Sequence, residues 1–387
     1  MSSFIPLSVP NLKGNELKYV TDAVNNEWVS TGGSYINRFE KEIAKYLHVE
    51  EAVACQSGTS GLHLSLLQCG VEYGDEVIVP TLTFIAAVNP VRYLGAEPIF
   101  MDCDDTLTID PIKLEEFCEN ECYLSGESLF NKETNKRIKA IVVVHVFGNM
   151  ANMEKIMDIA TKYKLKVVED ATEALGTYSK EGRYKDKYAG TIGDYGVYSF
   201  NGNKIITTGG GGMIVSQNLD SLRKIKYLST QAKDDELYYI HNEIGYNYRM
   251  TNLQAALGVA QLEQLEKFIE VKKRNYEFYK NELDKIKGLS LLPFNNAIRS
   301  NYWFYSLMID NSMIEKSRDE IIKFLNEQNI QTRPVWGLIH EQKPYRQNQS
   351  YHIEKAKFYY EKIINIPCST NLTEEDVIRV LNVIKLI

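Results

Sequence analysis

Short apolar runs alternate with amphipathic stretches between about residues 50 and 215. Several of these runs are continuous and rich in β-branched residues, which is typical of strands buried on both faces of a parallel sheet. The intervening stretches have the pattern of helices, so the sequence predicts an α/β fold with a mainly parallel central sheet. The strands are predicted at residues 51–55, 76–80, 98–101, 138–146, 165–169, 195–200 and 212–215.

The pattern changes after residue 250. Residues 251–288 favour a long amphipathic helix that begins at the N-cap candidate Thr251 and ends at Gly288. The chain beyond it predicts a smaller α+β domain, with a strand at 303–308, a helix at 317–328 and a terminal helix opened by Thr373. We therefore divide the chain into a large domain (1–250), a connecting helix (251–288) and a small C-terminal domain (289–387).

One segment interrupts the alternation within the large domain. Residues 119–139 are polar and charged, and we interpret them as an excursion outside the core. Gly209 to Gly212 lie between two predicted strands and not before a helix, so they favour a hairpin over a phosphate loop.

Composition excludes several classes of protein. Of the 387 residues, 44% are hydrophobic and 25% are charged, which excludes disordered and fibrous chains. The 44 Lys and Arg against 51 Asp and Glu give a net charge of −7, so we expect no nucleic-acid partner. We expect neither an export signal nor a membrane span, because the first residues lack a cationic start and an apolar region, and no long apolar run follows.

The six cysteines form no Cys-x-x-Cys pair, which suits a reducing cytoplasm. Cys118 and Cys122 stand four residues apart and could share a helix face. No further Cys or His completes a ligand set near them, so we predict no metal site.

Three clusters indicate chemistry. The first is Ser57-Gly-Thr-Ser-Gly61, which lies between a predicted strand and a helix that begins near Thr59. Backbone N–H groups at a helix start, with hydroxyls beside them, suit a phosphate. The alternative is ordinary helix capping.

The second cluster is Glu169-Asp170-Ala-Thr-Glu173, at the C-terminal end of a predicted buried strand. Ligands bind at that edge of open α/β sheets, and a carboxylate buried there needs a partner. Asp170 is thus either a helix cap or the partner of a cationic ring nitrogen. We interpret Glu169 as a flanking residue.

The third cluster is Ser199-Phe-Asn-Gly-Asn-Lys204, after the next predicted strand. Most lysines are solvated surface charges, but apolar walls around Lys204 would favour a neutral amine that attacks carbonyl groups. An anion site, an acid, a lysine for a Schiff base and an aromatic residue, Phe84, together meet the needs of pyridoxal 5′-phosphate.

The sequence resembles the DegT/StrS-type sugar-nucleotide aminotransferases, which depend on pyridoxal phosphate. The resemblance spans nearly the whole chain and implies the fold of type I aminotransferases. The finer wording resembles the branch that serves legionaminic acid and related 4-amino-4,6-dideoxy sugars. The motifs that carry the resemblance are Ser57-Gly-Thr-Ser60, Pro80-Thr-Leu-Thr-Phe84, Glu169-Asp-Ala-Thr-Glu173-Ala-Leu-Gly176, Ser199-Phe-Asn-Gly-Asn-Lys204 and Gly245-Tyr-Asn-Tyr-Arg-Met250.

The resemblance implies a role for individual residues of the cofactor site. Lys204 matches the lysine that holds the cofactor and later moves a proton, Asp170 the acid on the pyridine nitrogen, and Phe84 the aromatic over the ring. Glu173 stands near the cofactor's 3′ oxygen, where the family commonly has Gln or His. A carboxylate donates a hydrogen bond there only when it is protonated.

The resemblance also implies the groups that bind phosphate and substrate. Gly58, Thr59, Ser60 and Ser199 match the phosphate-binding groups. Asn247 matches a residue that reaches the phosphate from the neighbouring subunit, which implies a homodimer. Thr31, Arg249 and His340 are candidates for substrate binding, with a surface ion pair or a turn as the alternative for each. Tyr238 and Tyr239 suit packing or subunit contact better than base stacking.

The implied reaction transfers an amino group from glutamate to C4 of a nucleotide-linked 4-keto-6-deoxy sugar, such as a 2-acetamido hexose, for surface-glycan biosynthesis. Transfer to C3 of a related hexose is the alternative within the enzyme class. A non-catalytic protein that binds pyridoxal phosphate or a nucleotide sugar is the alternative outside it, and the retained Lys204 and Asp170 argue against that alternative.

Overall fold

The computed structural model describes residues 3–235 and 237–387. Met1 and Ser2, with which the predicted large domain begins, and Glu236 lie outside the described residues. The strands, in chain order, are β1 Ala52–Cys55, β2 Glu76–Pro80, β3 Glu97–Met101, β4 Cys122–Ser125, β5 Ser128–Asn131, β6 Arg137–Val144, β7 Lys166–Asp170, β8 Tyr178–Ser179, β9 Tyr195–Ser199, β10 Gly212–Val215, β11 Leu289–Leu291, β12 Ile298–Arg299, β13 Tyr305–Ile309, β14 Arg333–Pro334, β15 Ser350–Tyr351 and β16 Ile363–Ile366.

Helices flank these strands throughout the described chain. They are α1 Glu16–Asn25, α2 Ser34–Leu47, α3 Gly58–Gln68, α4 Asn89–Tyr93, α5 Pro111–Asn120, α6 Met153–Tyr163, α7 Leu219–Ser229, α8 Asn252–Leu262, α9 Leu265–Leu283, α10 Arg318–Glu327, α11 Lys355–Lys362 and α12 Glu374–Ile384.

The large sheet has the order β15-β3-β2-β6-β7-β9-β10-β1. Its strands from β15 to β9 run parallel to one another, whereas β10 is antiparallel to both of its neighbours. The prediction of a mainly parallel α/β sheet is therefore confirmed. The predicted hairpin between β9 and β10 is also present, with residues 200–211 as its connection.

Both faces of this sheet are buried, as the continuous apolar runs predict. In β6, Ile141 and Val143 belong to one hydrophobic core, and Val142 and Val144 belong to the other. Successive side chains of a strand point to opposite faces, so one run of β-branched residues contributes to both cores. Each of these four side chains is at most 1% exposed.

The parallel strands bring four chain segments to one edge of the sheet. β2, β6, β7 and β9 all end there, so the residues that follow them lie side by side. The start of α3 reaches the same edge, because Cys55 at the end of β1 pairs with Gly212, which itself pairs with Ser199. This edge carries the candidate site.

Residues 119–139 do not form an excursion outside the core. β4 and β5 form a hairpin, and β5 pairs with the first residues of β6. Leu129 is buried in the same core as Ile138, and the amide of Asn131 donates to the carboxylate of Glu76 at 2.9 Å. The polar residues that suggested an excursion pair with the sheet and with one another. Cys118, in α5, and Cys122, the first residue of β4, are buried free thiols.

The predicted connecting helix is two helices. Thr251 caps α8 through a capping box with Gln254, as its sequence indicates. The break falls at Glu263 and Gln264, where the Glu263 carboxylate accepts hydrogen bonds from Asn15 and Tyr19. α8 is apolar and packs against α1 and α2, whereas the amphipathic α9 packs against α12 and β11, so the two helices bury different surfaces.

The small sheet, β11-β13-β16-β14, is antiparallel and is built from residues after 288. The predicted helices beside it are present: Ser317 caps α10 and Thr373 caps α12, each through a capping box. The chain nevertheless crosses between the two sheets. β12 pairs with β8, and Ser350 and Tyr351 of β15 pair with Phe100 and Met101 at the edge of the large sheet.

In the part of the chain that the structure describes, no helix combines the length and apolar character that a bilayer span requires.

Candidate active site

A cavity of about 250 Å³ opens at the sheet edge where β2, β6, β7 and β9 end. Its floor is made by residues at and after the ends of β2, β7 and β9 and by the start of α3, and its wall comes from the aromatic residues Trp303, Phe304 and Trp336. Among the predicted site residues, the cavity brings together Gly58, Thr59, Phe84, Asp170, Glu173, Ser199 and Lys204.

Lys204 projects into this cavity from the connection between β9 and β10. Its side chain is 13% exposed, and its Nζ lies 3.6 Å from Oε1 of Glu173 and 4.2 Å from the ring centroid of Trp303. The indole N–H of Trp303 donates to the carbonyl oxygen of Asn203 at 2.8 Å. An acidic oxygen and an aromatic face thus hold one primary amine inside an enclosed space.

Asp170 is the last residue of β7 and is 4% exposed. Its Oδ1 accepts a hydrogen bond from the backbone N–H of Thr172 at 3.0 Å. Burial raises the pKa of this carboxyl, and the hydrogen bonds from Thr172 and the charge of Lys204 oppose the increase. A cationic group in the cavity would stabilise the carboxylate form, which is what a protonated pyridine nitrogen supplies.

Glu173 lies one turn after Asp170 and is also 4% exposed. Its Oε2 accepts the backbone N–H of Phe147 at 2.9 Å, and its Oε1 faces Lys204. Burial raises the pKa of Glu173 to about 7, against the opposing charge of Lys204. Phe147 has a φ of +56°, a left-handed conformation that is strained for a bulky residue. This strained turn directs its N–H at Glu173.

Glu169 is more than a flanking residue, contrary to the sequence interpretation. Its carboxylate is fully buried behind Asp170 and accepts hydrogen bonds from His145 Nε2 and from the backbone N–H groups of Gly190, Ile192 and Gly193. His145 Nδ1 accepts the N–H of Ala151, so its proton is on Nε2 and points at Glu169. This network fixes the end of β7 from the side opposite the cavity, since successive side chains of a strand alternate.

The start of α3 has the features of an anion site. Gly58 and Thr59 are in the first turn, where backbone N–H groups have no intrahelical acceptor. A Cβ at Gly58 would lie 2.9 Å from Thr172 and 3.1 Å from Ser199, so glycine allows these segments to approach one another. The Ser60 hydroxyl contacts Ser57 in a capping box and does not line the cavity. Capping and an anion site, the two alternatives, thus occur together.

Phe84 and His340 both lie near the end of β2. Phe84 lines the cavity and is 54% exposed. Nδ1 of His340 forms a hydrogen bond of 2.6 Å with the hydroxyl of Thr81, and burial lowers the pKa of His340. His340 does not line the cavity, whereas Trp336 in the same segment does.

The other predicted site residues, namely the substrate candidates Arg249 and Thr31 and the cofactor candidate Asn247, do not line the cavity. Arg249 is buried, and its Nη1 donates to Glu40 at 2.6 Å and to the carbonyl oxygen of Ala54 at 3.0 Å, so its guanidinium is engaged in packing β1. Thr31 and Asn247 are exposed. Neither residue lines the cavity.

Sequence reasoning did not identify several residues that shape the site. Trp303, Phe304 and Trp336 form its wall, and Phe147 and Asn301 hold its floor. The sequence predicts a strand that starts at Trp303, whereas β13 begins at Tyr305. The side chains of Trp303 and Phe304 therefore line the cavity. Aromatic residues just ahead of a strand were the available signal.

The arrangement fits pyridoxal phosphate on the chemistry of its donor groups. It offers N–H groups and hydroxyls for a phosphate, a buried carboxylate that forms no ion pair within the described residues, an aromatic side chain and an enclosed primary amine.

Comparison with known proteins gives matches over nearly the whole chain. The profile of the DegT/DnrJ/EryC1/StrS aminotransferase family matches residues 10–385. GDP-perosamine synthase from Caulobacter vibrioides is 36% identical, over 97% of this chain and 96% of that protein.

Solved structures match the same extent. The aminotransferase TlmJ from Streptoalloteichus hindustanus has a TM-score of 0.88 at 25% identity, over 99% of this chain and 98% of that chain. DesI, solved in the presence of its TDP-sugar product, has a TM-score of 0.87 at 25% identity, over 100% of this chain and 93% of that one. Both sheets are therefore part of the similarity.

Proposed function

Because this chain belongs to the DegT/DnrJ/EryC1/StrS aminotransferase family, we propose that it transfers the amino group of glutamate to C4 of a nucleotide-linked 4-keto-6-deoxy sugar. It is a pyridoxal phosphate-dependent aminotransferase with the type I fold. The observation that carries the proposal is the position of Lys204 Nζ, enclosed between Trp303 and Glu173 beside the carboxylate of Asp170.

Pyridoxal phosphate supplies an aldehyde that accepts the amino group and a ring that withdraws electrons from the donor's Cα. In our proposal Lys204 holds the cofactor, while Gly58, Thr59 and Ser199 bind its phosphate. Asp170 keeps the ring nitrogen protonated, because the buried carboxylate is stable as an anion only beside a cation. Phe84 covers the ring and excludes water from it.

Lys204 also moves the proton. Its amine takes the proton from Cα of glutamate and returns one at the carbon that receives the amino group, so both half-reactions use the same nitrogen. The cavity limits the freedom of Nζ, since Trp303 lies 4.2 Å from it, and the carboxylate of Glu173 favours a position close to the floor. Restricting the base in this way lowers the entropic part of the barrier.

We propose that the active unit is a homodimer in which Asn247 and Thr31 act at the partner's site. Both residues are exposed in their own chain. The segment ahead of Asn247 exposes apolar side chains that a second copy would cover, namely Leu237, Tyr238, Tyr239, Ile240 and Ile244. An apolar surface of this kind on one segment favours a subunit interface.

The sugar and its nucleotide bind towards the open side of the cavity. A volume of about 250 Å³ accommodates the cofactor and little more, so most of the substrate extends beyond it towards the surface. GDP-perosamine synthase is named for a GDP-linked product, and DesI was solved in the presence of its TDP-sugar product. Glu173 and the Phe200-Asn-Gly-Asn-Lys204 run favour the legionaminic-acid branch and hence a 4-keto 2-acetamido sugar.

The test is incubation of the cofactor-loaded protein with glutamate and a panel of 4-keto and 3-keto sugars linked to UDP, GDP or dTDP. We expect an amino product from a 4-keto sugar, with the new C–N bond assigned by NMR and the mass of the product. Lys204→Ala provides the control, because it retains the cavity but lacks the amine.

Two outcomes contradict the proposal. A 3-amino product would favour the C3 alternative. Conversion of glutamate to 2-oxoglutarate without transfer to any sugar of the panel would leave an aminotransferase with a different acceptor.

A further inference from the structure

In the scheme above, the buried carboxyl of Glu173 only restrains the position of the Lys204 amine. Oε1 of Glu173 lies 3.6 Å from Nζ of Lys204, and the Glu173 side chain is 3% exposed. In the described parts of the chain, Glu173 is the acidic residue that pairs with this amine within 4.0 Å. We propose that Glu173 is a second proton-carrying residue of the reaction, whose Oε1 takes a proton from Nζ of Lys204 and returns it.

The two oxygens of Glu173 are not equivalent. Oε2 accepts the N–H of Phe147 at 2.9 Å, and an oxygen that accepts a backbone N–H is poorly placed to carry a proton towards the amine. Oε1 faces Lys204. The proton therefore has one defined site on this carboxyl, and the left-handed turn at Phe147 maintains it.

The main chain of Glu173 is fixed as firmly as its side chain. The amide of Asn301 donates to the carbonyl oxygens of Glu173 and Leu175 at 2.9 Å and 3.0 Å. Asn301 Oδ1 accepts the N–H of Trp303 at 3.0 Å, so the same amide group positions the Trp303 ring beside Lys204. One buried side chain thus sets the distance between the two partners of the proton transfer.

The other acids at the floor are less suited. Asp170 accepts the N–H of Thr172 and faces the position proposed for the ring nitrogen, and Glu169 is saturated by His145 and three backbone N–H groups. The groups that act on Glu173 electrostatically are Lys204, from the β9–β10 connection, and Asp170, from β7. The charge of Lys204 lowers the pKa of Glu173, and the charge of Asp170 raises it.

The proposed step is a simple proton transfer. An N–H bond of the Lys204 ammonium breaks, its electron pair stays on nitrogen, and an O–H bond forms on Oε1 of Glu173. The neutral amine that results can attack a carbonyl carbon or take the Cα proton of a donor, and the reverse step restores the pair. No oxidant or reductant is needed. The inference rests on the aminotransferase activity and not on the identity of the sugar.

The experiment compares wild type with Glu173→Gln, which preserves the acceptor for Phe147 but carries no exchangeable acid proton, and with Glu173→Asp, whose carboxyl is one methylene further from Nζ. Glu270→Gln, at an exposed position on α9, is the matched control. Infrared difference spectra follow the C=O band of a protonated carboxylic acid between pH 5 and 9. The visible absorption of the cofactor-loaded protein is titrated over the same range.

We expect an acid band in wild type that titrates with a midpoint near pH 7 and is absent from Glu173→Gln. The visible absorption should share that midpoint in wild type and Glu270→Gln, and lose it in Glu173→Gln. In single-turnover experiments on the glutamate half-reaction, the maximal rate of Glu173→Gln should fall about tenfold or more. The apparent dissociation constant for glutamate should change less than about threefold. Glu173→Asp should retain an acid band and have an intermediate maximal rate.

Three results would overturn the proposal. They are an acid band of unchanged intensity in Glu173→Gln, a visible titration that is the same in wild type and Glu173→Gln, or an unchanged maximal rate of the glutamate half-reaction in Glu173→Gln. None of these readouts uses a nucleotide sugar. If the sugar assignment fails, the infrared and visible titrations still test Glu173.

Discussion

The side-chain amide of Asn301 lies 2.9 Å from the carbonyl oxygen of Glu173, in a buried hydrogen bond between chain segments 128 residues apart. This contact joins the floor of the cavity to its aromatic wall. Gly148 permits it, because a Cβ at that position, where φ is +90°, would lie 2.0 Å from Oδ1 of Asn301.

We predict that Asn301→Ala lowers the free energy of unfolding by about 2 to 4 kcal/mol, because it leaves the carbonyl groups of Glu173 and Leu175 and the N–H of Trp303 buried without partners. Urea unfolding of the cofactor-free protein measures this loss. Asn326→Ala, at an exposed site in α10, is the comparison. A loss below 1 kcal/mol would show that water or a shifted main chain replaces the amide.

Asp170→Asn should separate stability from chemistry. Burial of this carboxylate outweighs the stabilising charge of Lys204 when the cofactor is absent, so the cofactor-free variant should be at least as stable as wild type at pH 7. With cofactor, the rate at which glutamate loses its Cα proton should fall by about 100-fold or more. Thermal unfolding with and without pyridoxal phosphate, together with a single-turnover assay, tests both halves.

The opposite pattern, with loss of stability and full activity, would mean that Asp170 is a structural cap and not the partner of the ring nitrogen.

The stability of the cofactor-free protein should depend on pH through Glu173. Burial raises the pKa of this carboxyl from 4.5 to about 7, so the folded protein binds a proton that the unfolded chain releases between these values. The free energy of unfolding therefore falls as pH rises from about 4.5 to 7 and then levels off, by ~3 kcal/mol for this group. Asp170, whose pKa is also raised, adds a change of the same sign.

Urea titrations at pH 5 and pH 8 measure this dependence. Glu173→Gln should lack the part that belongs to Glu173 and retain the part due to Asp170, so the difference between the two proteins isolates one carboxyl. If both proteins lose the same amount of stability, Glu173 is not the group that titrates.

Arg249 should behave as a structural residue. Arg249→Met leaves Glu40 buried with only the half-exposed Lys226 beside it, and we expect a loss of about 3 kcal/mol in the free energy of unfolding. The double variant with Glu40→Gln should recover part of that loss, because no unpaired carboxylate remains. KM for the sugar nucleotide should be unchanged in the folded single variant. A large increase in KM with normal stability would instead return Arg249 to the substrate site.

The parts of the fold that depend on local pattern were predictable. β2 and β10 have the predicted bounds, since a continuous β-branched run between turn residues signals a buried strand. Thr251, Ser317 and Thr373 cap helices because their hydroxyls accept nearby backbone N–H groups, an interaction within four residues. Asp170 lies at the edge where the parallel strands end, as its position in the sequence indicates, and Lys204 lines the same cavity.

The parts that depend on distant contacts were not predictable. Glu169 looks like any acid beside Asp170, and its four hydrogen-bond donors come from residues 145, 190, 192 and 193. The left-handed conformation of Phe147 has no sequence signal in the residue itself. The pairing of β15 with β3 involves two residues in each strand, which is too little for a period to detect.

The pairing of β15 with β3 also restricts motion. Residues after 288 pair outside the small sheet at two separated places, where β12 pairs with β8 and where β15 pairs with β3 of the large sheet. Together with the chain connection through α8 and α9, these pairs oppose motion about a single hinge. We expect the aromatic wall to keep nearly the same distance from Lys204 in the free and the cofactor-loaded enzyme. A sugar would then be selected by how well it matches a preformed space.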